Sequence, residues 1–173
     1  MTNVRRVIET GTNVAILVVC CLFAWSYATH KTIGFGNSEA DTSAHLINQT
    51  LRPIGGYSWS SNRNTLVLAL RVGCSYCKAS MPFYKHLEQL QQGGSLQAHL
   101  LTVMPDSQKS GSEEITGEGL TVDGLYDQPL RSLGVTATPT LLLVDTRGIV
   151  KKAWIGQLTP ALEKEVVDAA RGK

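Results

Sequence analysis

The sequence predicts an α/β fold: a central mixed β-sheet flanked by helices, preceded by one N-terminal transmembrane helix. Three observations carry this. From residue 65 onward, apolar runs of strand length alternate with stretches of helical period, the pattern of βα units. The last two apolar runs are instead joined through Asp145-Thr146-Arg147-Gly148, the composition of a hairpin turn, so the sheet is mixed. Near the N-terminus, an uncharged segment follows Arg5 and Arg6.

At 173 residues, the chain has room for one ordinary domain and an appendage, and its 43% apolar content suffices for a packed core. The formal charge of +2 is close to balanced, and the basic residues are scattered. No nucleic-acid footprint results, and no nucleic-acid partner is expected.

The uncharged residues 12–28 end in Trp25 and Tyr27, aromatic types favoured at a membrane interface. Two arginines before them predict a cytoplasmic N-terminus and an exported domain. The run is at the short end of the roughly 17–25 residues that span a bilayer. It is read as an uncleaved signal anchor, single-pass in a bacterial inner membrane, with the domain on the periplasmic side. The alternative is a cleaved secretory signal with residues 14–25 as its apolar core and a small-x-small site at Ser26-Tyr27-Ala28. Cys20 and Cys21 read as small apolar residues of the membrane helix. Leu17-Val18-Val19-Cys20 resembles a lipoprotein signal, but bulky Val19 stands where a small residue is needed.

Three regions follow: residues 1–30 as cytoplasmic tip and anchor, 31–44 as a flexible linker, and 45–173 as the folded domain. The linker contains Gly34, Gly36, Asn37, Ser38, Asp41 and Ser43 without periodicity, and as a flexible coil spans on the order of 20 Å. Residues 45–64 form a weakly patterned lead-in punctuated by Pro53, Gly55 and Gly56. A strand at residues 65–72 is apolar throughout, as expected when both faces are buried. A helix at 75–92 places Phe83, Leu87 and Leu90 on one face and ends at Gly93-Gly94. A strand at 97–104 precedes a polar, irregular piece at 105–119 containing one short helix. Residues 120–123 are expected as a brief strand, and Asp127 as the cap of a short helix with Pro129 near its first position. Strands at 140–144 and 149–155 form the hairpin. A final helix starts with Thr159 as N-cap and Pro160 just inside.

Of four cysteines, only Cys74 and Cys77 lie in the domain, so there is no disulfide framework. A bridge closing so short a loop constrains the unfolded chain very little, which points to chemistry instead of stapling. The pair sits where a central strand gives way to a helix. A helix N-terminus offers unpaired N–H groups and partial positive charge, which favour a thiolate. Cys74 is therefore expected as the attacking nucleophile, and Cys77, one turn in, as the buried resolving thiol. Zinc would need two further ligands, and His30, His45, His86 and His99 show no paired spacing, so no metal is expected.

Residues 51–170 resemble a thioredoxin-fold domain. Cys74-Ser75-Tyr76-Cys77-Lys78 is similar to the family's Cys-x-x-Cys-Lys, Pro82 to its helix-kinking proline, and residues 133–140 to the segment carrying its cis-proline. Gly148 and Gly156 fall where the family has turn glycines. The stretch from Cys77 to Pro139 is longer than in a minimal thioredoxin, with the surplus at 105–119. With an anchor and an exported domain, this resembles the TlpA-like branch of membrane-anchored thiol–disulfide oxidoreductases.

The resemblance implies that Pro139 is cis and lies against the cysteines, leaving the backbone at Thr138 free to pair with an extended client. It implies that Ser75 and Tyr76 tune the potential and support the substrate, and that no cofactor is needed beyond the redox-active Cys74–Cys77 disulfide. The expected partners are protein thiols and disulfides of the cell envelope and a membrane electron donor or acceptor. Reduction of exported disulfides, as in cytochrome c maturation, is the favoured direction. The alternatives are an oxidase or isomerase of the same fold, or a Cu(I)-binding module, since soft thiolates take Cu(I). Two positions depart from the pattern. Gly73 replaces the usual tryptophan, and Leu68 replaces a buried aspartate that serves proton transfer. Glu113, Glu114 or Glu118 could supply a carboxylate instead, but solvated loop charges are the favoured reading of all three.

Overall fold

The sheet is organised around its most apolar strand, β1 (Asn64–Ala69), buried at every position but its first. The computed structural model describes residues 43–59 and 62–172. The expected anchor at 12–28, with Cys20, Cys21 and most of the linker, lies outside these residues. Among the described residues, no helix is long and apolar enough to cross a membrane.

Alternation along β1 and the residue after it sends Leu66, Leu68 and Leu70 into one core and Val67 and Ala69 into another on the opposite face. β2 (Ala98–Met104) runs parallel to β1, β3 (Gly124–Asp127) parallel to β2, and β4 (Thr140–Val144) antiparallel to β1. β5 (Val150–Ile155) closes a hairpin with β4, giving five strands in the order β3-β2-β1-β4-β5. This is a mixed sheet with flanking helices, a thioredoxin-like α/β fold.

The first core is covered by Phe83, Tyr84 and Leu87 of one helix and by Val166, Val167 and Ala170 of the last. The second is covered by the lead-in, through Leu46, Leu51, Ile54 and Trp59, and by Leu130, Leu133 and Val135. The lead-in is tied to the hairpin by backbone bonds from Asn48 N to the Val150 carbonyl (2.8 Å) and from Leu51 N to the Gly148 carbonyl (2.8 Å).

Several expectations are corrected. The single helix at 75–92 is two helices, α1 (Ser75–Ala79) and α2 (Met81–Gln92). Pro82 has no N–H to donate to the Lys78 carbonyl, so the ladder is interrupted and restarts from Ser80. The Ser80 carbonyl accepts from both Phe83 N and Tyr84 N. α2 ends at Gly93 with Gly94 in the left-handed region, and the Leu90 carbonyl accepts from Ser95 N. β1 ends at Ala69, short of the expected 72, because the chain turns at Arg71–Cys74.

The polar piece after β2 is a ten-residue helix, α3 (Gln108–Gly117), with Ser107 capping Ser110 N. The strand expected at 120–123 lies instead at 124–127, where its backbone meets β2. Leu120 is buried and Val122 packs against the first core, so residues 120–123 serve as packing on the way in. Asp127 is the last residue of that strand and caps nothing. Pro129 itself occupies the N-cap of a 3₁₀ turn (Leu130–Leu133), which Gly134 ends. The hairpin strands and the last helix, α4 (Pro160–Ala170) capped by Thr159, fall close to their expected places.

The hairpin turn rests on Asp145. Its Oδ1 accepts from Arg147 N and Ile149 N, both at 2.9 Å, and its Oδ2 from the Arg147 guanidinium at 3.2 Å. Partial burial alone would raise this carboxyl, but the Ile149 and Arg147 bonds outweigh it and hold the group below its ordinary value. A depressed folded-state pKa contributes stability above the unfolded value of 3.8, lost as pH falls through the folded value. Asp145→Asn is therefore expected to be less stable than the parent at neutral pH. The gap should close between about pH 5 and about pH 2 in urea denaturation; a constant gap would mean that the charge contributes nothing. Gly148, at φ +81, leaves no room for a Cβ, which would sit 2.8 Å from Trp59 Cδ1 and 3.0 Å from the Leu51 carbonyl oxygen. Gly148→Ala should cost about 1–3 kcal/mol, read as a lowered urea midpoint at unchanged slope.

Candidate functional site

The loop after β1 is built to present a helix N-terminus. Cys74 N donates to the Arg71 carbonyl (3.3 Å), closing a turn in which Gly73 has φ +70. A Cβ on Gly73 would meet nothing within 4 Å, so the backbone conformation, not crowding, calls for glycine. The tryptophan usual before the first cysteine of thioredoxin-fold proteins would be strained in this turn. Val72 N donates to Asp106 Oδ2 (2.9 Å), fastening the loop to the segment between β2 and α3.

Cys74 is the N-cap of α1, and its Sγ accepts from Cys77 N at 3.1 Å. The two sulfurs form a disulfide across a Cα separation of 5.2 Å. Their exposures differ: Cys74 is half-buried, whereas Cys77 is 3% exposed within the first core. Ser75 and Tyr76 face solvent, and Tyr76, at 63%, is one of the two most exposed large apolar side chains among the described residues.

Far along the chain, Thr138 is brought to the same place. Its Oγ1 donates to Cys74 Sγ at 3.6 Å, and its carbonyl oxygen lies 3.8 Å from that sulfur, where a reduced Cys74 thiol could donate to it. The Thr138–Pro139 peptide is cis, and Pro139 is buried. Two bonds brace the loop: Gly156 N donates to the Pro139 carbonyl (2.7 Å) and Thr140 Oγ1 to the Ala137 carbonyl (2.8 Å). Cys74, Cys77, Thr138 and Pro139 thus converge, with Ser75 and Tyr76 on the solvent side.

No carboxylate replaces the missing aspartate at the buried sulfur among the described residues. Leu68 is fully buried in the core that encloses Cys77. Glu118 reaches the active-site helix but pairs with Lys78 Nζ at 3.0 Å, on a lysine 70% exposed. Hydrogen bonding and attraction from Glu118 raise the Lys78 pKa, and Glu114 adds to the rise. Much of the positive charge that Lys78 would offer a thiolate is thereby answered by Glu118. Glu113 pairs with Lys109 on the exposed face of α3. Two buried hydroxyls on this side of the sheet have no hydrogen-bond partner, those of Tyr84 and of Thr102, the latter opposite Leu68 in the β1–β2 register. The Tyr84 hydroxyl belongs to the core that encloses Cys77. Burial pushes its pKa far above the ordinary value; Ser80 opposes the rise and Glu163 adds to it. The Ser80 hydroxyl itself donates to the Tyr76 carbonyl at 2.9 Å.

Sequence reasoning missed Asp106 and the orphan Tyr84 hydroxyl. Pro105-Asp106-Ser107 has turn composition, which signals a loop but not the amide that its carboxylate will hold. Among the described residues, no group of three or more His, Cys, Asp or Glu side chains is placed to hold a metal ion.

Comparison with known proteins agrees with this architecture. No family model matches the chain, and no curated protein matches it. Solved structures do. A thiol:disulfide interchange protein from Bacteroides sp. superposes with a TM-score of 0.55 at 18% identity, over 73% of this chain and 91% of that one. A secreted thiol-disulfide isomerase from Corynebacterium glutamicum gives 0.51 at 23% identity, over 65% and 71%. A mutant of peroxiredoxin Q from Xanthomonas campestris gives 0.50 at 17% identity, over 65% and 81%. The shared fold therefore hosts more than one thiol chemistry, and the choice between them rests on the residues of the site.

Those residues make a dithiol–disulfide couple with one accessible and one enclosed sulfur. In the reduced protein, the Cys77 amide aimed at Cys74 Sγ should stabilise the thiolate, with Thr138 as a further donor. Iodoacetamide alkylation against pH should place Cys74 well below the free value of about 8.5, and Cys77 should react only on unfolding. A Cys74 titrating at the free value would remove the basis for its role as nucleophile.

Proposed function

We propose that this chain is an extracytoplasmic thiol–disulfide oxidoreductase that, in its dithiol form, reduces disulfides of exported proteins. The observation that carries this is the half-exposed Cys74 sulfur lying against Thr138 on the cis-proline loop, with Cys77 enclosed behind it. An accessible sulfur beside a loop segment, Thr136–Thr138, that is not part of any strand suits an extended client whose disulfide must reach Cys74.

The reaction balances without a cofactor. The Cys74 thiolate attacks one sulfur of the client disulfide, and the other leaves as a thiolate that takes up a proton. Cys77 then gives up its proton and attacks Cys74 Sγ, breaking the mixed disulfide and releasing the second client thiol. One dithiol and one client disulfide become the Cys74–Cys77 disulfide and two client thiols. Enclosing Cys77 keeps it from competing for clients, while its place one turn along α1 keeps it within reach. Among the described residues no carboxylate stands beside it, so its proton departs to solvent or to the leaving client thiolate.

The export half of the proposal rests on Arg5, Arg6 and the uncharged residues 12–28, and the reducing direction on the likeness to TlpA-like proteins. In that setting, a membrane electron donor restores the dithiol, and apocytochromes are among the clients.

Cys77→Ser, expressed in its native envelope, should accumulate mixed disulfides on Cys74. Capture of apocytochromes or of a membrane reductant carrier is the expected result. Capture of newly secreted cysteine-rich proteins together with a quinone-linked oxidase would reverse the direction. If the variant traps nothing and the wild-type protein binds Cu(I) tightly, the redox reading fails.

A further inference from the structure

Beside the cis-proline loop lies a groove of about 420 Å³ whose walls include Arg71, Pro105, Leu130, Arg131, Val135 and Thr138. Thr138 belongs both to this groove and to the contact with Cys74, so whatever occupies the groove lies within a few residues of the reacting sulfur. Its lining contains two arginines and no acidic side chain. Both arginines are exposed, and neither forms an ion pair among the described residues. The acid nearest in sequence to the wall, Asp106, is not in the lining and has one oxygen engaged by Val72 N.

The two guanidinium groups come from different parts of the fold. Arg71 opens the turn that presents Cys74, and Arg131 sits in the 3₁₀ turn before the cis-proline loop. Neither stabilises its own element by a salt bridge, and each presents a fork that suits a carboxylate. Leu130 and Val135, also in the lining, are buried and supply part of its apolar surface.

We infer that this groove selects client segments carrying an aspartate or glutamate close to the cysteine to be reduced, with Arg71 and Arg131 as the residues that set the preference. The occupant is an extended peptide of a protein client. A groove running beside a loop segment outside the sheet accommodates an extended chain. The inference rests on the exchange reaction proposed above. The redox step is unchanged: one peptide disulfide is converted to two thiols as the Cys74–Cys77 dithiol becomes a disulfide.

The test uses the full chain, purified in detergent and reduced, with self-quenched peptide homodimers joined by a single disulfide. Three peptides differ only in Glu, Gln or Lys beside the cysteine. Second-order reduction rates should favour Glu over Gln on the order of five- to tenfold at low salt, the scale of one or two partly screened ion pairs. The ratio should fall towards one at about 0.5 M salt. Arg131→Glu and Arg71→Glu should each remove the Glu preference, and the double reversal should turn it towards the Lys peptide, with urea midpoints confirming that the variants fold.

Equal rates on the three peptides, or a Glu preference untouched by both charge reversals, would overturn the inference while leaving the exchange reaction intact. Failure to reduce even the Gln peptide would overturn the exchange reaction, and this inference with it. Oxidised glutathione reduced faster than the Glu peptide would assign the groove to a small anionic disulfide and remove the peptide assignment.

Discussion

The contact between Thr138 and Cys74, 64 residues apart in sequence, is the constraint on which the site depends. It follows from strand direction. β1 and β4 are neighbours and antiparallel, with Ala69 opposite Thr140, so the end of one strand and the start of the other meet at one edge of the sheet. The turn that delivers Cys74 and the loop that delivers Pro139 then have nowhere else to go. Had β4 been parallel to β1, the cis-proline loop would have entered from the opposite edge and the sulfur would have no partner from that part of the chain. Burial of both faces of β1 is what holds this register, since a slip of one residue would exchange its two cores.

How legible each part was depends on how much it buries. β1, α2 and the β4–β5 hairpin stand out because their apolar residues repeat at a clear period and are bounded by Gly93-Gly94 and Gly148. The region 105–134 was harder. α3 buries only Gly111 and Ile115, so its period is weak, and β3 is an edge strand that is at most half-buried, with its placement set by pairing to β2. Asp127 and Pro129 satisfy the local rules for a cap and a first helical residue, yet the ladder to β2 claims Asp127 first. The break at Ser80 was foreshadowed by Pro82, but its extent depends on which carbonyls the restarted helix uses.

At the site, the cysteine pair and Thr138-Pro139 were legible because their chemistry is written in short runs. Asp106, Tyr84, Arg71 and Arg131 were not, since each matters only through what the fold sets beside it. The glycine before Cys74 also changes meaning. In sequence it is a missing tryptophan, whereas in the structure it is the residue that a left-handed turn requires. Leu68 remains a true loss. The core around Cys77 holds a buried phenol, and among the described residues no carboxylate stands beside the enclosed thiol.

Asp106 and Glu118 stand at opposite ends of one excursion from the sheet, the segment that contains α3. Asp106 grips Val72 ahead of the cysteines and Glu118 grips Lys78 behind them. The two sulfurs therefore sit on a span with both abutments in the same insertion. A displacement of that insertion against the sheet would be passed to both ends at once, altering the tilt of α1 and the depth of Cys77 without touching either cysteine. Substitutions that shifted α3 would in this way act on the redox pair from outside it.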